Sequence, residues 1–292
     1  MIWLWLVTLG WAFSFSLIGV YLSGQVDDAI SVFIRVLLAL LLFAPLALRL
    51  APNQRPAART ALALMGIGAV QIGLMYLFLF RAYGYLSVPT LLLFTIFTPL
   101  YVTLFDELLS GRRRLPGRFW VSAALAVAGA AVIRFQNPET VSLIGFLLVQ
   151  AANLCFAFGQ VAYKRLPQGS TVDQIQTFGL FFLGATLVCG LIMLATADFS
   201  ATPQGATQWL VLLWLGLGAS GLGYLGWNQG ARRVTTGELA AMNNVLIPAG
   251  ILVNVVFWGR DADWPRLLLG GLIIVVAVWL GRNAPVGPIN RS

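Results

Sequence analysis

The sequence contains no histidine, a single lysine and two cysteines, and only 10% of its 292 residues are charged. Each shortage excludes something. Without histidine there is no imidazole to activate a serine or cysteine nucleophile, and no His-containing zinc site. Cys155 and Cys189 both lie in apolar runs and read as small packing residues, not as a disulfide or metal pair. No phosphate-cradling glycine loop follows a strand pattern, so no cofactor is expected. A soluble domain carries about a quarter charged residues, so this chain lacks the charge to cover a water-facing surface. What it has is hydrophobicity: 59% apolar residues and a mean hydropathy of +0.87.

The apolar residues fall in runs at about 3–22, 30–50, 60–81, 86–106, 117–135, 142–164, 174–196, 208–230, 238–258 and 266–283. A bilayer core about 30 Å thick takes about 20 helical residues to cross. The expected fold is therefore an all-α membrane protein of ten transmembrane helices. The first run has no basic segment before it and is too long for a signal-peptide core, so it is expected to persist as a helix. The net charge of +8 does not indicate a nucleic-acid partner, because the basic residues sit in the connectors. With both termini inside, the inner side collects 13 of the 18 basic residues, among them Arg112, Arg113, Arg114, Lys164, Arg165, Arg232, Arg233 and Arg291. The outer side receives Arg81, Arg134, Arg260 and Arg266. That asymmetry predicts cytoplasmic termini in an inner (plasma) membrane.

Features recur at an offset of 148–149 residues: Tyr76 with Tyr224, Pro99 with Pro248, Gly111 with Gly259, Pro116 with Pro265, Arg134 with Arg282. A repeat of five helices is odd, so the second copy enters the membrane from the opposite side. The connectors agree, Gly111-Arg112-Arg113-Arg114 being basic and Gly259-Arg260-Asp261-Ala262-Asp263 net acidic. Two inverted five-helix repeats, residues 1–140 and 141–292, follow. Inverted repeats place a substrate near the midplane where the halves meet.

Two five-helix halves, each with a proline in its fourth helix followed 11–12 residues later by a glycine, resemble the EamA-type drug/metabolite transporters. Trp11 and the run Tyr224-Leu225-Gly226-Trp227-Asn228-Gln229-Gly230 are similar to the aromatic amino acid exporter branch of that family, the YddG-like proteins. The resemblance implies a central cavity lined by helices one, three, four, six, eight and nine, with five and ten peripheral. It also implies a small-molecule cargo, amino acids and aromatic ones first, moved by a protein expected to be a monomer among membrane lipids.

Aromatic residues concentrate on those helices: Trp11 and Phe15 in the first, Tyr76, Phe80 and Tyr83 in the third, Phe156 in the sixth, Tyr224 and Trp227 in the eighth. Such faces can stack on a planar cargo, whereas Trp3 and Trp5 near the inner interface read as anchors. Amides and hydroxyls inside spans are costly unless partnered. Ser14, Thr98, Asn153, Asn228 and Asn244 are the candidates for contacting cargo, while helix–helix bonding is expected to absorb many of the other polar groups. Pro99 and Pro248 each remove a backbone donor and are expected to kink their helices as hinges. The glycines of helix eight read as mechanical.

Arg35, about one and a half turns from the outer end of helix two, is expected to snorkel outward; its other possible role is as a carboxylate partner. Asp106, Glu107 and Glu238 sit at inner helix ends, where they are solvated or form gate ion pairs. No Asp, Glu or His lies near a helix centre, which points to facilitated and not proton-coupled transport. Gly218-Ala219-Ser220-Gly221 matches a short serine-protease motif, but with no histidine base it is not an enzyme signature. Nucleotide-sugar or phosphorylated cargo would call for Lys or Arg in the cavity, whereas the single lysine, Lys164, is at a cytoplasmic helix end; a non-transporting scaffold would have no need of polar residues in the centres of both halves.

Overall fold

The computed structural model describes residues 1–51, 55–111, 114–134, 142–167 and 169–282. Within them ten helices are long and apolar enough to span a membrane: α1 Ile2–Tyr21, α2 Asp28–Leu48, α3 Ala58–Tyr83, α4 Thr90–Leu109, α5 Gly117–Arg134, α6 Leu143–Arg165, α7 Thr171–Thr196, α8 Ala206–Ala231, α9 Thr236–Trp258 and α10 Trp264–Arg282. The described residues contain no strand. Arg112, Arg113 and Arg291, and the boundary between the halves at 140–141, lie outside the described residues.

Helix ends follow local chemistry. Asp27 caps α2 by accepting from the amides of Ala29 and Ile30 at 2.9 and 3.0 Å. Ser170 and Asp173 exchange side-chain-to-backbone bonds at the start of α7, and Thr235 caps α9, each satisfying a donor that a first helical turn leaves free. Gly259 ends α9 at φ +57°, where a side chain would be strained. Ten crossings bring both ends of the chain to one side, here the terminal face; the other is the distal face.

The two halves repeat in detail. Both third-position helices contain a π-helical stretch, residues 69–74 in α3 and 214–222 in α8. In α5 and α10, Gly129 meets Gly270 so closely that a Cβ on either would strike the other's carbonyl. Shifting that pair by 148 residues gives Ser122 and Ala277, and the Ser122 hydroxyl does donate to the Ala277 carbonyl at 2.7 Å. Tyr76 and Tyr224, equivalent under the same shift, meet each other edge to face at 6.0 Å. These reciprocal contacts are those of an approximate two-fold axis between inverted halves.

The outward surface is apolar, as lipid requires: Leu41, Leu191, Leu194, Val256, Leu268 and Trp279 are largely exposed. Trp3 and Trp5 at the start of α1 are also exposed, consistent with anchoring. Close approaches on the inside depend on glycine. A Cβ on Gly159 of α6 would overlap the Gln71 side chain of α3, whereas one on Gly66 meets nothing within 4 Å. Gly159→Ala is therefore expected to destabilise the protein by about 1–3 kcal/mol or more through overpacking. Gly66→Ala is expected to be neutral or slightly stabilising. Thermal unfolding in detergent, followed by monodispersity on size exclusion, compares the two.

Candidate functional site

Where the halves meet, a cavity opens between α1, α2, α3, α4, α6, α8 and α9, with about 810 Å³ of space free of protein atoms, part of it continuous with the outside. Neither α5 nor α10 lines it.

One wall is aromatic. Trp11 packs at 5.0 Å from both Tyr224 and Trp227, and Phe156 closes the group at 5.9–6.1 Å from all three. The rings are held by their polar edges. The Trp11 indole donates to the Ala219 carbonyl at 2.7 Å, passing over Gly223, where a Cβ would crowd its nitrogen. The Trp227 indole donates to Gln160 Oε1 at 3.1 Å, and Gln160 is tied in turn to Asn243.

Among the described residues the cavity lining holds one cation, Arg35, and it is not where its sequence position suggests. Arg35 is 3% exposed and lines the cavity instead of reaching the distal interface. Its Nε donates to Ser220 Oγ at 2.7 Å and to the Leu215 carbonyl at 3.3 Å, both within the π-helical stretch of α8. Its guanidinium lies 3.9 Å over the Tyr76 ring, whose hydroxyl shares a hydrogen bond with Ser220 Oγ at 3.0 Å. Two hydrogen bonds and a cation–π contact in a desolvated place outweigh the short reach to water. Among the described residues no carboxylate pairs with it. Ser220, the serine of the protease-like motif, thus serves to hold an arginine. The intramembrane charge was the available signal for Arg35; its inward direction was not.

Of the sequence candidates, Trp11, Ser14, Phe15, Tyr76, Thr98, Asn153, Phe156, Tyr224 and Trp227 line this cavity. Four others stand behind the wall. Phe80 is buried against Tyr76 and Tyr83, and the Tyr83 hydroxyl donates to the Phe15 carbonyl at 3.5 Å. Asn228 exchanges bonds with Gln71 at 3.0 and 3.5 Å. Asn244 ties α9 to the Ile96 and Ala126 carbonyls at 3.0 and 2.9 Å. Those two amides are helix–helix fasteners, the use that best repays an amide in hydrocarbon. Thr8, Met75, Thr95 and Asn243 line the cavity in addition.

Pro99 shapes the lining. Residues 95–97 form a 3₁₀ turn and Pro99 opens the next helical segment. The Thr98 amide bonds to the Thr95 carbonyl, so the Phe94 carbonyl is left to accept from Gln150 at 3.1 Å and Asn153 at 2.9 Å. Pro248 lies inside an unbroken α9.

The terminal face is closed by polar groups, those on Asp106 joining the halves. Arg165 of α6 pairs with Asp106 of α4 at 2.6 Å, and Asp106 also accepts from the Thr236 hydroxyl of α9. Lys164 donates to the Val234 carbonyl at 2.8 Å, and Arg232 to the Leu166 carbonyl at 2.7 Å. Burial holds the Arg232 guanidinium below the ordinary arginine range, partly offset by Tyr163. Glu107, by contrast, accepts from the Trp120 indole at 2.9 Å. Under the 148-residue shift, Asp106 corresponds to Asn254 and Lys164 to Ser16. That pair meets toward the distal face through a neutral bond of 3.1 Å.

Comparison with known proteins fits this architecture. Residues 1–135 and 143–282 match the pattern of the EamA-like transporter family. A probable biotin transporter of Pseudomonas aeruginosa is 47% identical over 280 residues, covering 94% of this chain and 95% of that protein. The biotin transporter of Escherichia coli K12 is 44% identical over 278 residues, covering 95% and 91%. A probable terminal-alkyne amino-acid exporter of Streptantibioticus cattleyicolor is 25% identical over 97% and 93%. A solved structure with a TM-score of 0.74 at 21% identity covers 96% of each chain and shares the fold.

If the Asp106–Arg165 closure holds the terminal face shut, Asp106→Ala is expected to open it. A cysteine placed at Ala152 in the cavity lining, with Cys155 and Cys189 replaced by serine, reports this. Modification by a membrane-impermeant thiol reagent applied to the terminal face is expected to speed up several-fold in Asp106→Ala.

Proposed function

Since the chain belongs to the EamA-like transporter family, whose pattern both of its halves match, we propose that it carries biotin, or a closely similar carboxylic acid, across the inner membrane. Transport is by alternating access between the halves, with both termini cytoplasmic. The observation that carries this is Arg35, a buried guanidinium that faces the cavity with no carboxylate beside it. An uncompensated charge in a low-dielectric place is costly by several kcal/mol. A cargo that brings its own carboxylate offsets that cost each time it binds. Biotin carries a carboxylate on an apolar chain ending in a compact fused ring, and the cavity offers a cation beside aromatic and apolar walls. The names of the relatives at 44–47% identity support the same cargo.

Aromatic amino acid export, the cargo expected from Trp11, Tyr224 and Trp227, is the second reading. The aromatic wall and the 25% identical exporter favour it. It ranks lower because Trp11 and Trp227 spend their indole N–H groups on the protein itself, and because the biotin transporters are far more similar to this chain. Among the described residues no carboxylate lines the cavity, which supports facilitated movement down a gradient.

Purified protein in proteoliposomes is expected to take up labelled biotin without a pH gradient. Charged hydrogen bonds contribute about 1.5–3 kcal/mol, so Arg35→Gln is expected to cut flux roughly ten- to a hundred-fold, with Arg35→Lys intermediate. Comparable yield and melting temperature for the variants rule out misfolding as the cause. Absence of biotin flux alongside robust phenylalanine or tryptophan flux would overturn the proposal in favour of the second reading.

A further inference from the structure

The cavity holds a second pole whose chemistry is the reverse of Arg35. Thr8, Thr95 and Thr98 each donate their hydroxyl proton to a carbonyl of their own helix, Leu4, Leu92 and Thr95, at 2.7–2.8 Å. Asn153 directs its amide nitrogen at the Phe94 carbonyl, which can only accept, and at Gln150 Oε1. All four side chains line the cavity, and in all four the donors are consumed by protein. What they can offer a cargo is lone pairs: three hydroxyl oxygens and the Asn153 carbonyl oxygen, none of which receives a hydrogen bond from a described residue. A group of acceptors without donors pairs with the N–H or O–H groups of a ligand or of water, and offers nothing to a ligand that carries only acceptors.

The two poles are separated in depth. Arg35 lies seven residues in from Asp28, roughly 10 Å from the distal end of α2 at 1.5 Å per residue. Asn153 lies ten residues in from Leu143, roughly 15 Å from the same face, Thr98 lies eight residues in from Thr90, roughly 12 Å, and Thr8 is deeper still, while Thr95 is about level with Arg35. Met75 lines the cavity between these depths, and Ile18 and Leu79 line it nearer the distal face.

Building on the proposed function, we infer that this acceptor belt is a specificity site for N–H donors at the end of the cargo remote from its carboxylate. The ligand class is a carboxylic acid joined through an apolar spacer to a cyclic urea or amide. The belt selects against acids of the same length without such a head. An α-amino acid carries its ammonium and carboxylate on one carbon and does not span the two poles.

Lipoate supplies the comparison, since it shares biotin's five-carbon acid arm and a five-membered ring but has no N–H. In wild-type proteoliposomes transporting labelled biotin, desthiobiotin, which keeps the cyclic urea, is expected to compete nearly as well as biotin. Lipoate is expected to compete at least about tenfold less well, because a site built to hydrogen-bond a donor rejects the analogue lacking it. Combining Thr98→Val with Asn153→Leu is expected to bring lipoate within about threefold of biotin, while biotin methyl ester remains a poor competitor. Both replacements keep the backbone satisfied: the Thr95 carbonyl retains the Thr98 amide and the Phe94 carbonyl retains Gln150. Equal competition by lipoate and biotin in the wild type overturns the inference and leaves the Arg35 reading intact. A lipoate gap that persists in the double variant overturns the assignment to these residues. Absence of biotin flux in the wild type removes the proposed function and this inference with it.

Discussion

A guanidinium buried in an apolar bundle is the constraint around which the centre of this protein is arranged. The surroundings of Arg35 must accommodate its charge. They do so from the opposite half of the molecule, through Ser220 and the Leu215 carbonyl of α8, with the Tyr76 ring beneath it. Arg35 therefore joins the two halves as well as lining the space between them. The π-helical stretch at 214–222 belongs to the same arrangement, since its wider turn presents a carbonyl and a hydroxyl together on the face toward α2. Wide turns of this kind recur at functional sites.

Around that centre the inverted halves share a backbone plan and differ in side chains. The contact of Gly159 with Gln71 becomes, under the 148-residue shift, Trp11 against Ala219. In one half a glycine accepts a long amide side chain; in the other the small residue lies on the partner helix and accepts an indole. The same helix crossing thus yields packing in one place and a cavity wall in the other. The closures follow the same pattern. The α4–α6 crossing carries the ionic Asp106–Arg165 contact at the terminal face, whereas the equivalent α1–α9 crossing carries a neutral Ser16–Asn254 bond toward the distal face. The backbone plan is thus shared, and the closures at the two faces are not.

The ten helices were legible because a bilayer enforces a length and a polarity at once, and Asp27, Ser170 and Thr235 mark their starts chemically. The repeat was legible at Tyr76/Tyr224 and Pro99/Pro248. What failed was direction within a helix. Depth along α2 made Arg35 a snorkelling residue, yet the partners that turn it inward lie 180 and 185 residues away. Asn228 and Asn244 carry the same chemistry as Asn153, and only the neighbouring helices decide which amide faces a cavity and which fastens two spans. The π-helical stretches have no composition of their own. Their positions follow from the crossings of α3 with α7 and of α8 with α2.

The charge balance of the cavity bears on energetics as well as recognition. An empty cavity carries the single positive charge of Arg35 in its lining; a bound monocarboxylate makes it formally neutral. If the cargo is the monocarboxylate proposed above, the complex crosses between the two faces without moving net charge through the low-dielectric centre, where each uncompensated ion costs several kcal/mol. A separate midplane carboxylate to bind and release a proton becomes unnecessary, because the cargo itself supplies the compensating charge. The absence of Asp and Glu from the cavity lining and the presence of one arginine are thus two sides of one arrangement. An acidic cavity would have to be protonated before an anion entered. A cavity with several cations would hold a monocarboxylate complex away from neutrality and favour more highly charged cargo.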